Sequence, residues 1–526
     1  MKADRSRDPE AALAVRLAED RHRRGDARGA LRLYEAAIDR DPGSADAWQG
    51  AGAALKDLGE HAAACRALGR CLGIDGGRAD CHHDLGWMRF ELGDADGALR
   101  ELRIAADLSD APLSWLAQAM IVPGAPGADD REIQRVRTSA AERLRRDAPV
   151  PAGGRRPAPR RSDGRIRVGY LSSFFHKPNY MLPVWTLVNR HDRGVVEIHL
   201  ISDSPAAAGR PGYRPRPEDH VHETEGLSNA ELSDLIDDLA LDILVDLNGY
   251  SRPERLPLLL HPRTATTVAW FNMYATSGLP GVRYLVGDGE VVREGEERRY
   301  TERVVRLPQS YLTFEAARRH PPVGPPPCVH RGAVTFGSLV TQYKVNCGVL
   351  DAWTAILRGA PESLLVLGNA TLASEGDRDH LLGELESRGV DAERVRLRGP
   401  AVHAEFLRYY DEIDVALDAF PYNGGTTTIE AIWQGVPVLT FAGERWASRT
   451  SASLLARTHL GEFVTRDRAE MVQTGVALAR DPGIASRLAG LRRSMRRKLR
   501  DSVACDGRGL AREMERVYRD IAGRRI

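Results

Sequence analysis

Apolar and polar positions along this chain follow three different rules. Between residues 11 and 112 they recur with a period of 34: Gly25, Gly59 and Gly93 are equally spaced, and so are Ala30, Ala64 and Ala98. Gly25-Asp26-Ala27-Arg28-Gly29-Ala30 and Gly93-Asp94-Ala95-Asp96-Gly97-Ala98 are near copies, and Asp41-Pro42 closes the first unit. Small residues at fixed places let paired antiparallel helices approach closely, and each pair buries its face on the next. Residues 113–145 also read as helical and would cap that stack. Residues 146–164 are rich in Pro, Arg and Gly without an apolar period, and read as a linker.

From Arg165 onward, short apolar runs alternate with helical stretches such as 230–239 and 346–358. The runs are 166–171, 198–201, 243–247, 267–270 and 284–286; beyond a Pro-rich break at 320–327 come 333–336, 364–367, 395–397, 415–417 and 436–441. Alternation of this kind predicts parallel sheets covered by helices on both faces. The expected fold is a helical repeat domain over 1–145, a linker over 146–164, and two doubly wound α/β (Rossmann-like) domains over 165–325 and 326–526. A ligand would lie in the cleft between the two, at the carboxyl ends of the strands. The last helix, near 511–521, is expected to pack back across the join.

Composition narrows the function classes. The chain carries 74 Lys plus Arg against 73 Asp plus Glu, so no global field draws nucleic acid or an anionic membrane. Arg155, Arg156, Arg160 and Arg161 have no aromatics between them and read as a solvated basic linker. No secretory signal and no apolar run of spanning length is seen, so a soluble, cytoplasmic protein is expected. The six cysteines form no Cys-x-x-Cys pair, so neither a zinc site nor a disulfide framework is expected.

The most informative stretch is Asp418-Ala419-Phe420-Pro421-Tyr422-Asn423-Gly424-Gly425-Thr426-Thr427-Thr428-Ile429-Glu430. It reads as strand, glycine turn, helix, with Gly435 stopping the helix. A helix starting at Gly424-Gly425-Thr426-Thr427-Thr428 offers backbone N–H groups, hydroxyls and the positive end of its dipole, which suits phosphate. The plainer alternative is an ordinary cap by Thr426 or Thr427. Glu430 lies one turn further on the same face, where a carboxylate repels phosphate but accepts two hydroxyls of a nucleotide ribose. Three other segments could converge there. Gln342-Tyr343-Lys344 follows a strand end, and Lys344 is a point charge able to reach a pyrophosphate. Arg398 to His403 could present backbone groups or His403 to a base or ribose. Gly443-Glu444-Arg445-Trp446-Ala447-Ser448-Arg449 is a polar loop after the last strand.

The run from Asp418 to Pro437, the Gly-Glu-x-x-Ala-Ser-Arg stretch and Tyr343-Lys344 resemble the catalytic region of the O-linked N-acetylglucosaminyltransferase family, which includes the plant Spindly-type fucosyltransferases. The likeness extends to Val168–Phe175, to Leu244-Val245-Asp246-Leu247-Asn248-Gly249-Tyr250 and to Trp270-Phe271-Asn272-Met273-Tyr274-Ala275-Thr276-Ser277-Gly278. The 34-residue units likewise resemble tetratricopeptide repeats. Repeats ahead of a two-domain GT-B glycosyltransferase are that family's architecture. The resemblance implies inverting sugar transfer from a nucleotide donor, most simply a UDP sugar such as UDP-GlcNAc, to Ser or Thr of a protein or peptide selected by the repeats. It implies no cofactor and no metal, with Lys344 on the diphosphate, Thr426 and Thr427 on the phosphates and Glu430 on the ribose. The Asp-x-Asp pairs at Asp94-Ala95-Asp96 and Asp377-Arg378-Asp379, and the wider pair Asp234 and Asp237, read as solvated. Gly425 stands where the animal enzymes have histidine, so GlcNAc, glucose and fucose donors stay open, as do a small-molecule acceptor and a non-catalytic scaffold. An acceptor hydroxyl must lose a proton; His176, expected to face the cleft, is the first candidate base and Asp246 the second.

Overall fold

The computed structural model describes residues 8–109, 112–147, 164–261, 263, 265–315 and 320–523. The basic linker with Arg155, Arg156, Arg160 and Arg161 lies outside them. The chain opens with eight helices: α1 (Pro9–Arg23), α2 (Ala27–Arg40), α3 (Ala45–Asp57), α4 (His61–Ile74), α5 (Ala79–Glu91), α6 (Ala95–Leu108), α7 (Pro112–Ile121) and α8 (Asp130–Asp147). The sequence period has a physical origin at two kinds of position. Gly25, Gly59 and Gly93 adopt φ of 83°, 74° and 96°, the left-handed backbone that ends the first helix of each pair. Ala30, Ala64 and Ala98 are fully buried where the paired helices touch. The near-copied hexapeptides are one capping device used twice: Asp26 accepts the Gly29 N–H and Asp94 the Gly97 N–H, each at 2.8 Å.

Two parallel sheets follow. The first, in the N-lobe, contains β1 (Ile166–Ser172), β2 (Val196–Ser202), β3 (His220–Glu223), β4 (Ile243–Asp246), β5 (Thr266–Ala269), β6 (Val282–Asp288) and β7 (Arg303–Leu307), in spatial order β3-β2-β1-β4-β5-β6-β7. The second, in the C-lobe, contains β8 (Thr335–Ser338), β9 (Leu364–Gly368), β10 (Val395–Arg398), β11 (Val415–Leu417), β12 (Val438–Phe441) and β13 (Val464–Thr465), ordered β10-β9-β8-β11-β12-β13. Both are doubly wound about their first strand, which creates a crevice at the reversal of strand order. All ten apolar runs read from the sequence form strands. The strands it did not mark, β3, β7 and β13, lie at sheet edges, where side chains face water and the apolar signal fades.

The last helix, Gly507–Gly523, returns to the N-lobe. The Tyr518 hydroxyl meets that of Tyr170 at 3.0 Å, and Glu515 accepts from His191 Nδ1 at 2.9 Å. The repeats dock on the C-lobe rather than standing apart. Asp377 accepts the Ala62 N–H at 2.7 Å and pairs with His61 at 2.6 Å, while Ser374 donates to Glu60 at 2.6 Å. Asp377 therefore is not solvated, as its sequence context implied; it is buried and caps the start of α4. Arg137 of α8 reaches the N-lobe, donating to the Thr276 carbonyl at 2.8 Å and stacking over Tyr250 at 4.2 Å. Among the described residues no helix is long and apolar enough to cross a membrane.

Candidate active site

The glycine loop lies between β11 and the helix Thr426–Trp433. Asp418, buried at the end of β11, holds it: the carboxylate accepts the Gly424 N–H at 2.9 Å, the Ala419 N–H at 3.0 Å and the Thr440 hydroxyl at 2.7 Å. Burial pushes this carboxyl above the ordinary range, and those donors and Lys344 pull it back. Asn423 donates to the Ala419 carbonyl at 2.7 Å, and Ser451 to the Gly424 carbonyl at 3.1 Å. Gly424 is required by space, because a methyl there would lie 2.6 Å from the Thr428 hydroxyl and 2.7 Å from that of Thr427.

The plain capping alternative for the threonines is not what forms. The cap residue is Gly425, with no side-chain cap hydrogen bond, and Thr426 is the first helical residue. The N-terminal amides of this helix therefore have no side chain bound to them, the condition an anion needs. Thr428 is turned inward and bonds Ser451 at 2.8 Å, so Thr426 and Thr427 are the half-exposed hydroxyls of the group.

Lys344 closes on this loop from β8. It sits in the short turn Gln342–Lys344, and its ammonium donates to the Asn423 carbonyl at 2.8 Å, two residues before Gly425. It also lies 3.9 Å from the centre of the Tyr422 ring. Loss of water lowers the Lys344 pKa to about 8, opposed by the Asp418 charge. An ammonium already stripped of water next to uncapped amides gains strongly from an incoming diphosphate. Gln342, by contrast, is buried, and its carboxamide oxygen accepts from Asn369 at 3.1 Å. It braces the turn instead of presenting its side chain to a donor.

His403 and Glu430 come together: His403 Nε2 lies 2.8 Å from Glu430 Oε1. Both line a cavity of about 280 Å³ between the lobes, with Trp433 on their side and Leu182, Trp185 and Phe314 on the other. Lys344 does not line this cavity; it stands at the tip of the helix whose inner face bears Glu430.

The two candidate bases lie elsewhere. Asp246 ends β4, and its two oxygens accept the N–H groups of Asn248 at 3.1 Å and Gly249 at 3.0 Å. Burial raises its pKa to about 6. It is a turn-holding carboxylate. His176 lines a cavity walled by N-lobe residues, among them Asp203, Arg252 and Arg255, beyond the carboxyl ends of β1, β2 and β4. Its Nδ1 is buried without a partner, so nothing fixes the tautomer a base requires. The polar loop after β12 also differs from expectation. Arg445 donates to the Ala125 carbonyl at 2.7 Å, and Arg449 pairs with Glu296 at 2.6 Å, so these arginines tie lobes and repeats together.

One feature went unread in the sequence. Tyr180, Tyr274, Tyr343 and Tyr422 meet between the lobes beside Lys344: Tyr274 and Tyr422 are 4.6 Å apart between ring centres, and Tyr343 and Tyr422 6.1 Å. Burial raises the pKa of Tyr180, Tyr343 and Tyr422, and each of these phenols also feels Tyr274. Phe90 of α5 stacks on Tyr343 at 4.9 Å, so the third repeat touches the lysine turn directly.

Both sheets, the glycine loop and the lysine turn fall within residues 155–321 and 328–512, which match the model of Glycosyl transferase family 41. The chain belongs to glycosyl transferase family 41. This family member is 30% identical over 372 residues to a barley (Hordeum vulgare) protein named probable UDP-N-acetylglucosamine–peptide N-acetylglucosaminyltransferase SPINDLY, covering 69% of this chain and 39% of that one. It is 25% identical over 326 residues to the Arabidopsis thaliana protein of the same description named SEC, covering 60% and 33%. It thus spans well under half the length of these relatives. A solved lysine-to-methionine variant of the Thermobaculum terrenum O-GlcNAc transferase superposes with a TM-score of 0.79 at 29% identity, covering 98% of this chain and 99% of that one. The likeness to that structure therefore extends over the helical repeats as well as both lobes.

Proposed function

We propose that the protein transfers a sugar, most simply GlcNAc, from a UDP-linked donor to Ser or Thr of a protein or peptide, with inversion and without a metal. One observation carries this reading: the Lys344 ammonium lies 2.8 Å from the Asn423 carbonyl, beside the uncapped amino end of Thr426–Trp433. As the glycosidic bond breaks, negative charge grows on the departing diphosphate while the sugar acquires oxocarbenium character. Fixed amide dipoles and one desolvated ammonium stabilise that charge, and because they are already oriented they need little reorganisation. Thr426 and Thr427 add hydroxyl donors to the phosphates. Glu430, paired with His403 at the wall of the cavity, is placed to accept ribose hydroxyls. The names of the barley protein and of the Thermobaculum enzyme support GlcNAc as donor sugar.

Incubating the protein separately with UDP-GlcNAc, UDP-glucose and GDP-fucose, and measuring released nucleotide, tests the reading. Release of UDP from UDP-GlcNAc, abolished in Lys344→Ala, is expected. Preferential release from either other donor reassigns the sugar, and absence of both release and donor binding refutes the enzymatic reading in favour of a scaffold.

A further inference from the structure

Far along the N-lobe sheet from its crossover, strand β3 forms an edge whose side chains are mostly exposed. Its parallel register sets His220 opposite His199 of β2, and His222 opposite Ile201. Residues two apart share one face of a strand. Glu197 and His199 of β2 therefore meet His220 and His222 of β3 on one side of the sheet. His199 Nε2 lies 3.2 Å from Glu197 Oε1, and His220 Nε2 lies 3.7 Å from the same oxygen. One nitrogen or oxygen from each of Glu197, His199 and His220 falls within 4.8 Å of the other two. The His199 and His220 ring centres lie 4.7 Å apart, and the His222 ring lies edge to edge with His199, coplanar within 4° and with centres 5.4 Å apart.

We propose that Glu197, His199 and His220 bind a zinc ion that clamps the edge strand β3 to β2. Ligand atoms about 2.0–2.1 Å from a tetrahedral zinc stand roughly 3.4 Å from one another. Two of the three separations, 3.2 and 3.7 Å, lie on either side of that value, and the third is within 4.8 Å. The surroundings select the ligand atoms. Arg165 pairs with Glu197 Oε2 at 3.0 Å, and Oε1 is the oxygen that faces both imidazoles. With zinc on His199 Nε2, the ring proton sits on Nδ1 and donates to His222 Nε2, 3.1 Å away. A second hydrogen bond of that kind orients most metal-bound imidazoles. Metal ligands must be neutral imidazoles. Half-exposed His220 leaves room for water as fourth ligand. Two imidazoles with one carboxylate favour zinc over magnesium or calcium. The site is remote from Lys344 in the fold, and His199 is in the middle of β2 rather than at its carboxyl end. Its role is to hold an exposed edge, a place where sheets otherwise invite pairing with other chains. The cysteine spacing that argued against zinc could not reveal it, because all three ligands are His or Glu from two strands.

The test uses the untagged full chain, stripped with a chelator and titrated with Zn²⁺ against a chromophoric competitor. One zinc per chain is expected, together with tetrahedral d–d absorption when Co²⁺ replaces zinc. His220→Ala and Glu197→Gln should each weaken binding at least ~10-fold. His220 is half exposed, so its variant should keep the melting temperature of the stripped protein while losing the rise that zinc produces. Nucleotide release should be equal in stripped and zinc-loaded protein. Stoichiometry well below one, or binding unchanged in His220→Ala, overturns the site, and loss of nucleotide release on stripping overturns the structural role.

Discussion

Gly93 tests how the repeats reach the chemistry. It turns the chain between α5 and α6 at φ 96°. A methyl group on it would overlap the Val345 carbonyl oxygen, and would stand 2.9 Å from the Val345 carbonyl carbon and 3.3 Å from the Gln342 oxygen. Non-bonded carbons settle near 3.5–4.0 Å, so the turn bearing Lys344 must retreat by roughly 1 Å. A shift of about 1 Å in a charge-stabilising group costs up to ~100-fold in rate. Gly59 supplies the control. It occupies the equivalent place one repeat earlier, at φ 74°, with open space where the methyl would go. Alanine at either position carries the same left-handed backbone penalty of about 1 kcal/mol. Gly93→Ala should therefore lower kcat for donor hydrolysis by about 10–100-fold, and Gly59→Ala should not, although both lose stability. The assay is nucleotide release alongside thermal melting. Equal kcat in the two variants would refute the idea that the repeats position the lysine.

Three further outcomes are expected. Lys344→Ala should fold normally and lose about 100- to 1000-fold in turnover; unchanged turnover in the release assay removes its assigned role. Because Lys344 acts as a cation with a pKa lowered to about 8, kcat/KM for the donor should be full below that pH and decline above it. In the kcat profile the decline should move to higher pH, since bound diphosphate favours the ammonium; a profile flat to pH 10 contradicts this. Deleting residues 1–112 removes the Phe90 stack on Tyr343 and the Asp377 partners on α4. Hydrolysis and transfer should then fall together, whereas loss of transfer alone would assign the repeats to acceptor choice only.

Much of this fold was legible because its signals are local. Apolar runs flanked by turns marked every central strand, and the 34-residue period marked the repeats through recurring glycine and alanine. The loop from Asp418 to Glu430 was likewise readable, since strand, glycines and helix are contiguous. Edge strands such as His220–Glu223 and Arg303–Leu307 were not, because half-exposed strands admit charged residues. Side-chain roles failed where tertiary contacts decide them. Gln342 turns inward to Asn369, Asp377 caps a helix more than three hundred residues earlier in the chain, and Arg445 and Arg449 bind other parts of the protein instead of a ligand. The four tyrosines beside Lys344 come from separate loops of both lobes, and no spacing in the sequence connects them.

The seating of the third repeat against the lysine turn fixes the direction in which such an array can be lengthened. Units added beyond α6 would have to displace α7, α8 and the seam they form with both lobes. Units added ahead of α1, where Leu13 and Leu17 are about half exposed, would stack outward into solvent and leave the transfer machinery untouched. Length of the repeat stack and seating of the lysine turn are thereby adjustable separately, at opposite ends of one helical array.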